Sequence, residues 1–313
     1  MSISSIFTIG TVQTAMELGC IYALVALALF LSFSILNIAD LSTDGCFTLG
    51  CAVCCQVTLM GHPILALFAA MLAGVLSGYL TALLQTKLGV ASILAGIIVN
   101  TGLYTVNLAV MGFSSTLSVF KCDTIFSMAK ATLEGWLGDW YKLLLAAVIV
   151  LLAGLLLTWF LKTRLGLSIR ATGDSPDMIK ASSVNPAFTI TVGLCISGSL
   201  TALSGAVLAQ YQKSCDINLG TGMVTIALAS LIIGETLVGK GGMFRRVLGA
   251  IIGSCLYRLF VAVALRLNVP AECMKLVSAL IVAIAIASPA LKRSIAFQKQ
   301  KAARRGGNHA EIN

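Results

Sequence analysis

Residues 143–161 read LLLAAVIVLLAGLLLTWFL, a stretch with no charge and almost no polar atom. A run of this kind spans the hydrocarbon of a bilayer as a helix of about 20 residues. It is not alone. Comparable runs cover roughly 15–36, 45–60, 64–85, 91–111, 187–210, 223–237, 245–265 and 273–291. Two of them, 45–60 and 223–237, are short for a straight crossing, so eight to ten spans are expected. Composition agrees: 58% of residues are hydrophobic, 11% are charged, and mean hydropathy is +0.98. An average soluble protein carries roughly 25% charged residues; this chain could not cover a water-facing surface. Disorder needs a polar, charge-rich chain, and a β-barrel needs alternation of apolar and polar residues. The expected fold is all-α and polytopic, because a helix satisfies its own backbone hydrogen bonds in lipid.

The 21 Lys and Arg against 12 Asp and Glu give a net charge of +9. Their placement separates a membrane protein from a nucleic-acid binder. No basic residue precedes Lys87, and the tail holds Lys292, Arg293, Lys299, Lys301, Arg304 and Arg305. With the tail inside, the loops at Lys87, 162–186 and 240–246 also face the cytoplasm, and together these regions carry fourteen of the 21 basic residues. That is the positive-inside pattern. The domains expected are a transmembrane unit over 1–291, containing a cytoplasmic loop at 162–186, and a basic tail over 292–313. The N-terminus falls outside the cell and lacks the charged start of a signal peptide. The long external connection 112–140 ends in Trp136, Trp140 and Tyr141, which suits interface anchoring or the reception of a partner.

Several motifs are expected to do no chemistry. Most of the ten cysteines lie within apolar runs, where a thiol packs as a small hydrophobe; Cys51, Cys54 and Cys55 have no second cysteine pair or histidine near them for a metal. Residues 234–241, GETLVGKG, nearly match a phosphate-binding loop, but Gly241 replaces the hydroxyl residue that would hold Mg²⁺. No Ser/His or Cys/His constellation points to catalysis, so the chain is read as a non-enzyme that binds no cofactor of its own. The glycine pairs Gly74/Gly78 and Gly249/Gly253 are read as close helix contacts.

The loop KTRLGLSIRATGDSPDMIKASSVNP is the one extended polar segment between two strongly apolar spans. Asp174 or Ser175 can cap a helix, Pro176 fits its first position and Asp177 complements its dipole. A helix of about two turns follows, with Met178, Ala181 and Ser182 on one face. It either docks into another protein or simply joins two spans.

Two polar clusters interrupt apolar runs. One is Asn37, Asp40, Ser42, Thr43, Asp44 and Gly45; the other is Glu235, Thr236, Gly239, Lys240, Gly241 and Gly242. Similar breaks in two halves of a chain mark repeated transporter folds with discontinuous helices. Ordinary surface turns read the same way from hydropathy. Asn100, Tyr104 and Asn107 share one helix face and either line a pathway or hydrogen-bond to neighbouring helices. Gln210, Gln212, Asp216 and Asn218 at an external end suit the reception of solute or a receptor protein. A secondary transporter driven by H⁺ or Na⁺ through Asp40, Asp44 or Glu235 is the competing function; a receptor or scaffold without transport is another.

The stretch LGLSIRATGDSPDMIKASSVN, followed by SGSLTALSGAVLAQYQ, resembles membrane permeases of ABC importers of the branched-chain amino acid and ribose type. LNIADLSTDGCFTLG, LAGIIVNTGLYTVNLAVMG and LGTGMVTIALASLIIGE resemble the tryptophan/tyrosine transport permease subgroup. The resemblance runs from about residue 15 to 291. It implies two permease copies, taken as a homodimer, with two cytoplasmic ATPases that bind ATP and Mg²⁺ and an external substrate-binding protein, in a bacterial plasma membrane. It further implies that Arg170, Gly173, Asp174, Pro176, Asp177, Met178 and Ala181 meet the ATPase. The pathway would be lined by Asn37, Asp40, Ser42, Thr43, Asp44, Asn100, Tyr104, Asn107 and Glu235. The solute implied is a small one, an amino acid, and the subgroup resemblance implies an aromatic one.

Overall fold

The computed structural model describes residues 9–130, 138–182, 184–239 and 241–266, with helical positions at 276, 279, 280, 283 and 287. The expected span at 273–291 and the tail at 292–313 lie outside the continuously described residues. Helix α1 (Ile9–Leu29) continues through a π-helical turn, Phe30–Ile35. There follow α2 (Thr43–Leu59), α3 (Pro63–Thr86), α4 (Ser92–Val110) and α5 (Tyr141–Lys162). Next come two short helices, α6 (Arg164–Asp174) and α7 (Pro176–Ala181), and then α8 (Pro186–Gln212), α9 (Met223–Val238) and α10 (Met243–Arg266). Six of the described helices are long and apolar enough to cross a membrane, and α2 and α9 are shorter apolar helices. The chain is an all-α polytopic membrane protein.

Burial sorts these helices. The apolar windows of α1 and α8 are 83% and 78% buried, whereas those of α3, α4, α5 and α10 reach at most 33%. Helices α1 and α8 are therefore the central pair, and the others present Leu, Ile and Phe outward, as lipid requires. Sequence explains α8's place. Its Gly, Ser and Ala positions let backbones close in, since helix association in lipid relies on packing rather than on a hydrophobic drive. A Cβ added at Gly198 would strike the Gly74 carbonyl, and one at Gly205 the Phe47 carbonyl. The thiols of Cys46, Cys51 and Cys54 donate to the carbonyls of Gly198, Gly205 and Ala206 at 3.3, 3.0 and 3.5 Å. These cysteines thus work as packing groups, and the nine described cysteines are free. Gly74 and Gly78 pack on α8, and Gly253 sits against the Ser230 carbonyl of α9.

The two breaks do not both fall where hydropathy put them. The first does: the chain leaves the π turn at Ile35, Asn37 adopts a left-handed φ of 57°, and α2 starts at Thr43. The second lies at 217–222, before α9, whereas Gly239, Gly241 and Gly242 fall between the end of α9 and the start of α10. A short polar stretch such as INLGTG reads as a surface loop by hydropathy, although it runs beside α2. A ribbon absent from the sequence reading joins the two long connections at this end: Thr116–Ser118 (β1) pairs antiparallel with Ser214–Asp216 (β2).

Depth follows from contacts. Cys46, in the first turn of α2, touches Gly198, twelve residues into the 27-residue α8. At 1.5 Å per residue that is roughly 18 Å along a helix of about 40 Å. Helix α2 therefore begins near mid-depth and runs toward the C-terminal end of α8. Helix α9 begins beside Asp44, at the same depth, and runs the other way, ending where Glu235 meets Ser34 of the π turn. The two half-length helices diverge from a shared centre.

Candidate functional site

At that centre the N-terminus of α9 has no side-chain cap of its own, and Gly222 precedes it at a φ of 85°. The cap comes from another helix. Asp44 accepts the Gly222 N–H at Oδ2 and the Val224 N–H at Oδ1, each at 2.9 Å. A carboxylate there satisfies orphan amides and opposes the positive end of the helix dipole. Thr48, one turn on, accepts the Gly220 N–H at 3.1 Å. Gly220 has no alternative in this place, because a Cβ would collide with the Asp44 carbonyl.

Beside this clasp is a half-open pocket of about 300 Å³, lined by Asp44, Thr48, Asn100, Tyr104, Asn107 and Asn218 among others. The stripe Asn100, Tyr104 and Asn107 is brought to it by α4, whose spacing of four and three keeps the three on one face. Tyr104 is 52% exposed and contributes to the lining. Asn107 is 1% exposed, donates from Nδ2 to the Gly45 carbonyl at 3.1 Å, and leaves Oδ1 without a donor. That donation fixes the amide orientation. A buried acceptor left unpaired costs about 1–3 kcal/mol. Asn100 Oδ1 lies 2.7 Å from where a Cβ at Gly45 would stand, so the amide sits directly over the start of α2.

Of the first cluster, Asp44 and Gly45 line this pocket; Asn37, Asp40, Ser42 and Thr43 do not. Asp40 is buried and turned on its own loop, accepting from the Ser42 N–H at 2.9 Å and the Ser42 hydroxyl at 2.6 Å. Thr43 donates to the Asp40 carbonyl at 3.0 Å, and Thr81 of α3 donates to Ser42 Oγ at 3.2 Å. These three build the lead into α2. Asn37 is exposed at the turn itself. Glu235 is remote from the pocket: it pairs with Arg246 at 3.0 Å and accepts from the Ser34 hydroxyl at 2.7 Å. Arg246 also stacks over Phe30, 5.0 Å from the ring centroid.

The loop 162–186 is more ordered than its polarity implied. Residues 164–174 are helical, capped by Thr163, whose hydroxyl accepts the Gly166 N–H. Ile169 and Thr172 are buried, and the Thr172 and Thr189 hydroxyls lie 2.8 Å apart. Gly173 does not face outward; a Cβ there would run into the Ile35 carbonyl at the end of the π turn. Arg170, Asp174, Asp177 and Ala181 are exposed. Asp177 pairs with Lys180 at 3.3 Å, and Ile179 faces inward. Pro176 and Met178 belong to α7, and their side chains lie outside the described residues.

Three positions escaped the sequence reading. Thr48 and Thr221 are small hydroxyls with no pattern to mark them. Glu17 is a carboxylate within α1, 4% exposed, accepting from Gln13 at 3.1 Å and the Tyr211 hydroxyl at 2.7 Å. An acid in an apolar run is a visible signal; it was passed over because no glycine or break adjoins it. Gln210, read as an external receiving group, is buried and bridges two connections, donating to the Pro63 carbonyl at 2.8 Å and accepting the Ile125 N–H at 3.0 Å.

Relatives place this architecture. A tyrosine transport system permease protein of Clostridioides difficile (strain R20291) is 31% identical over 283 residues, covering 90% of this chain and 92% of its own. The D-allose transport system permease protein of Escherichia coli (strain K12) is 29% identical, covering 80% of this chain and 73% of its own. A nucleoside ABC transporter permease protein of Lactococcus lactis subsp. cremoris (strain MG1363) is 24% identical, covering 73% of this chain and 74% of its own. No solved structure matches the chain. The family described as "Branched-chain amino acid transport system / permease component" matches residues 12–286, and with its multi-pass helical architecture the chain belongs to that ABC permease family.

Proposed function

We propose that the chain is the membrane-spanning subunit of an ATP-driven importer in a bacterial plasma membrane, working as a homodimer. It moves a small solute delivered by an external binding protein. ATP and Mg²⁺ are held by two partner ATPases. The observation that carries the reading is the helix pair α6–α7: it exposes Arg170, Asp174 and Asp177 alongside Leu165 and Leu167, while Gly173 rests backbone to backbone on Ile35, the end of the most buried helix. Motion received at α7 passes into α1 without a flexible side chain between them. Coupling of this kind requires two states that the partner binds with different free energy.

Each carboxylate that an ion-coupled transporter would use already has an internal partner, and only Asp44 keeps acceptor capacity beyond it. Asp44 holds α9, Asp40 its own loop, and Glu235 is paired with Arg246. The relatives carry a tyrosine, an allose and a nucleoside permease among their names. By the first of these, the solute is an amino acid with an aromatic body.

The test is co-purification with the ATPase encoded beside this chain. The wild-type protein should retain it in stoichiometric amount, and Asp174→Lys with Asp177→Lys should lower retention about tenfold while membrane insertion is kept. Equal retention by the variant removes the role given to this loop.

A further inference from the structure

The mid-depth pocket is lopsided in its hydrogen bonding. Asn107 Oδ1 is buried and lacks a donor, and its amide cannot turn over without losing the Gly45 carbonyl. Asp44 accepts the Gly222 N–H at one oxygen and the Val224 N–H at the other, and a carboxylate offers about four acceptor sites, so capacity remains. The Thr221 hydroxyl is spent on the Asn218 carbonyl. The deep wall therefore asks for donors. Its charge asks for the same thing: a helix N-terminus offers roughly half an elementary charge, which offsets only part of the Asp44 carboxylate.

We propose that this pocket is a transit site that takes a solute by a protonated amine, held at Asn107 Oδ1 with Asn100 and Asp44 around it and the solute's body against the Tyr104 ring. An ammonium brings three donors and a positive charge. A cation near an aromatic face gains further. A carboxylate in the same place would meet Asp44 and the amide oxygens. A bare metal ion is ill suited. Among the described residues no group of three or more His, Cys, Asp or Glu side chains converges, and about 300 Å³ matches the lower end of small-molecule sites rather than an ion cage. The site makes the membrane subunit a second filter behind the binding protein. This deepens the transport reading and rests on it for the word transit; the binding itself is independent of any ATPase.

The experiment uses the full-length chain in lipid nanodiscs, with tyramine as the probe and 4-ethylphenol as its amine-free counterpart. Binding is read by titration calorimetry and by thermal stabilisation. Tyramine should bind at millimolar concentration or better, 4-ethylphenol at least tenfold more weakly. Asn107→Leu should weaken tyramine at least tenfold. Should that variant not fold, Asn100→Leu, at a half-buried position, is expected to show the same direction. Absence of tyramine binding to the wild-type chain overturns the proposal, as does equal binding of the two probes or binding unchanged in both variants. Stabilisation by Na⁺ alone that disappears in Asn107→Leu overturns it in favour of an ion site. If tyramine binds but no ATPase co-purifies, the site stands and the importer reading falls.

Discussion

Replacing Asp44 by Asn changes one atom type and should undo the start of a helix in another part of the chain. The carboxylate serves two amides of α9, Gly222 and Val224, both at 2.9 Å. An amide has a single acceptor oxygen, and its Nδ2 would face one of the two N–H groups donor to donor. Hydrogen bonds to a charged acceptor contribute about 1.5–3 kcal/mol each. With one bond lost and the other reduced from a charged to a neutral acceptor, the N-terminal turn of α9 loses about 3 kcal/mol, which is roughly two decades in its opening equilibrium. The effect is local, because the rest of α9 is held by α10, where Gly234 and Gly249 touch. Hydrogen exchange of a peptide covering 218–227 in nanodiscs should therefore quicken about a hundredfold in Asp44→Asn, with exchange in α8 unchanged. A global melt followed by a thiol-reactive dye uses the buried cysteines as its reporter and should move far less. If exchange at 218–227 stays at the wild-type rate, the clasp does not hold the helix and the account of the centre is wrong.

Gly198→Val should reduce folded protein sharply, since the new side chain meets the Gly74 carbonyl rather than a movable group. Overpacking of this kind costs about 1–3 kcal/mol or more, and fluorescence-detected size exclusion of the solubilised protein reads it; a normal monodisperse peak refutes it. Glu235→Gln and Arg246→Ala, combined in a double-mutant cycle on thermal stability, should show coupling of about 0.5–1.5 kcal/mol, because the pair is partly shielded and shares Ser34. Additive effects would mean that the contact is idle. Gly173→Leu should displace α6 from Ile35 and lower transport-coupled ATP hydrolysis several-fold at equal ATPase retention, whereas Asp174→Lys with Asp177→Lys should lower retention itself.

The apolar helices among the described residues and the polar connection at 162–186 were legible because lipid imposes length and apolarity on every crossing residue. The breaks were legible only in part. Asn37 to Gly45 announced itself through two carboxylates within an apolar run, yet hydropathy could not say that Asp40 serves its own loop while Asp44 reaches across to α9. That difference depends on which neighbour stands within 3 Å, and only folding brings residues 44 and 222 together. The stretch 217–222 carries no charge to flag it, whereas Gly239, Gly241 and Gly242 stand out in the sequence beside Glu235 and Lys240. Glu235 reads as an unpaired acid in the sequence for a related reason: its partner Arg246 sits eleven residues later, across the turn between two helices. The stripe Asn100, Tyr104 and Asn107 was found because helical periodicity alone places it on one face.

Gly173 lies on the Ile35 carbonyl with no methyl group between them. Two main chains in such contact share one position, so neither can be shifted by a fraction of an ångström without carrying the other along. The protein has in this spot a bearing without play. Wear there would be costly: any residue larger than glycine inserts slack of its own making, and a stroke delivered at the membrane surface would be spent in bending that inserted side chain before it ever reached the middle of the bilayer.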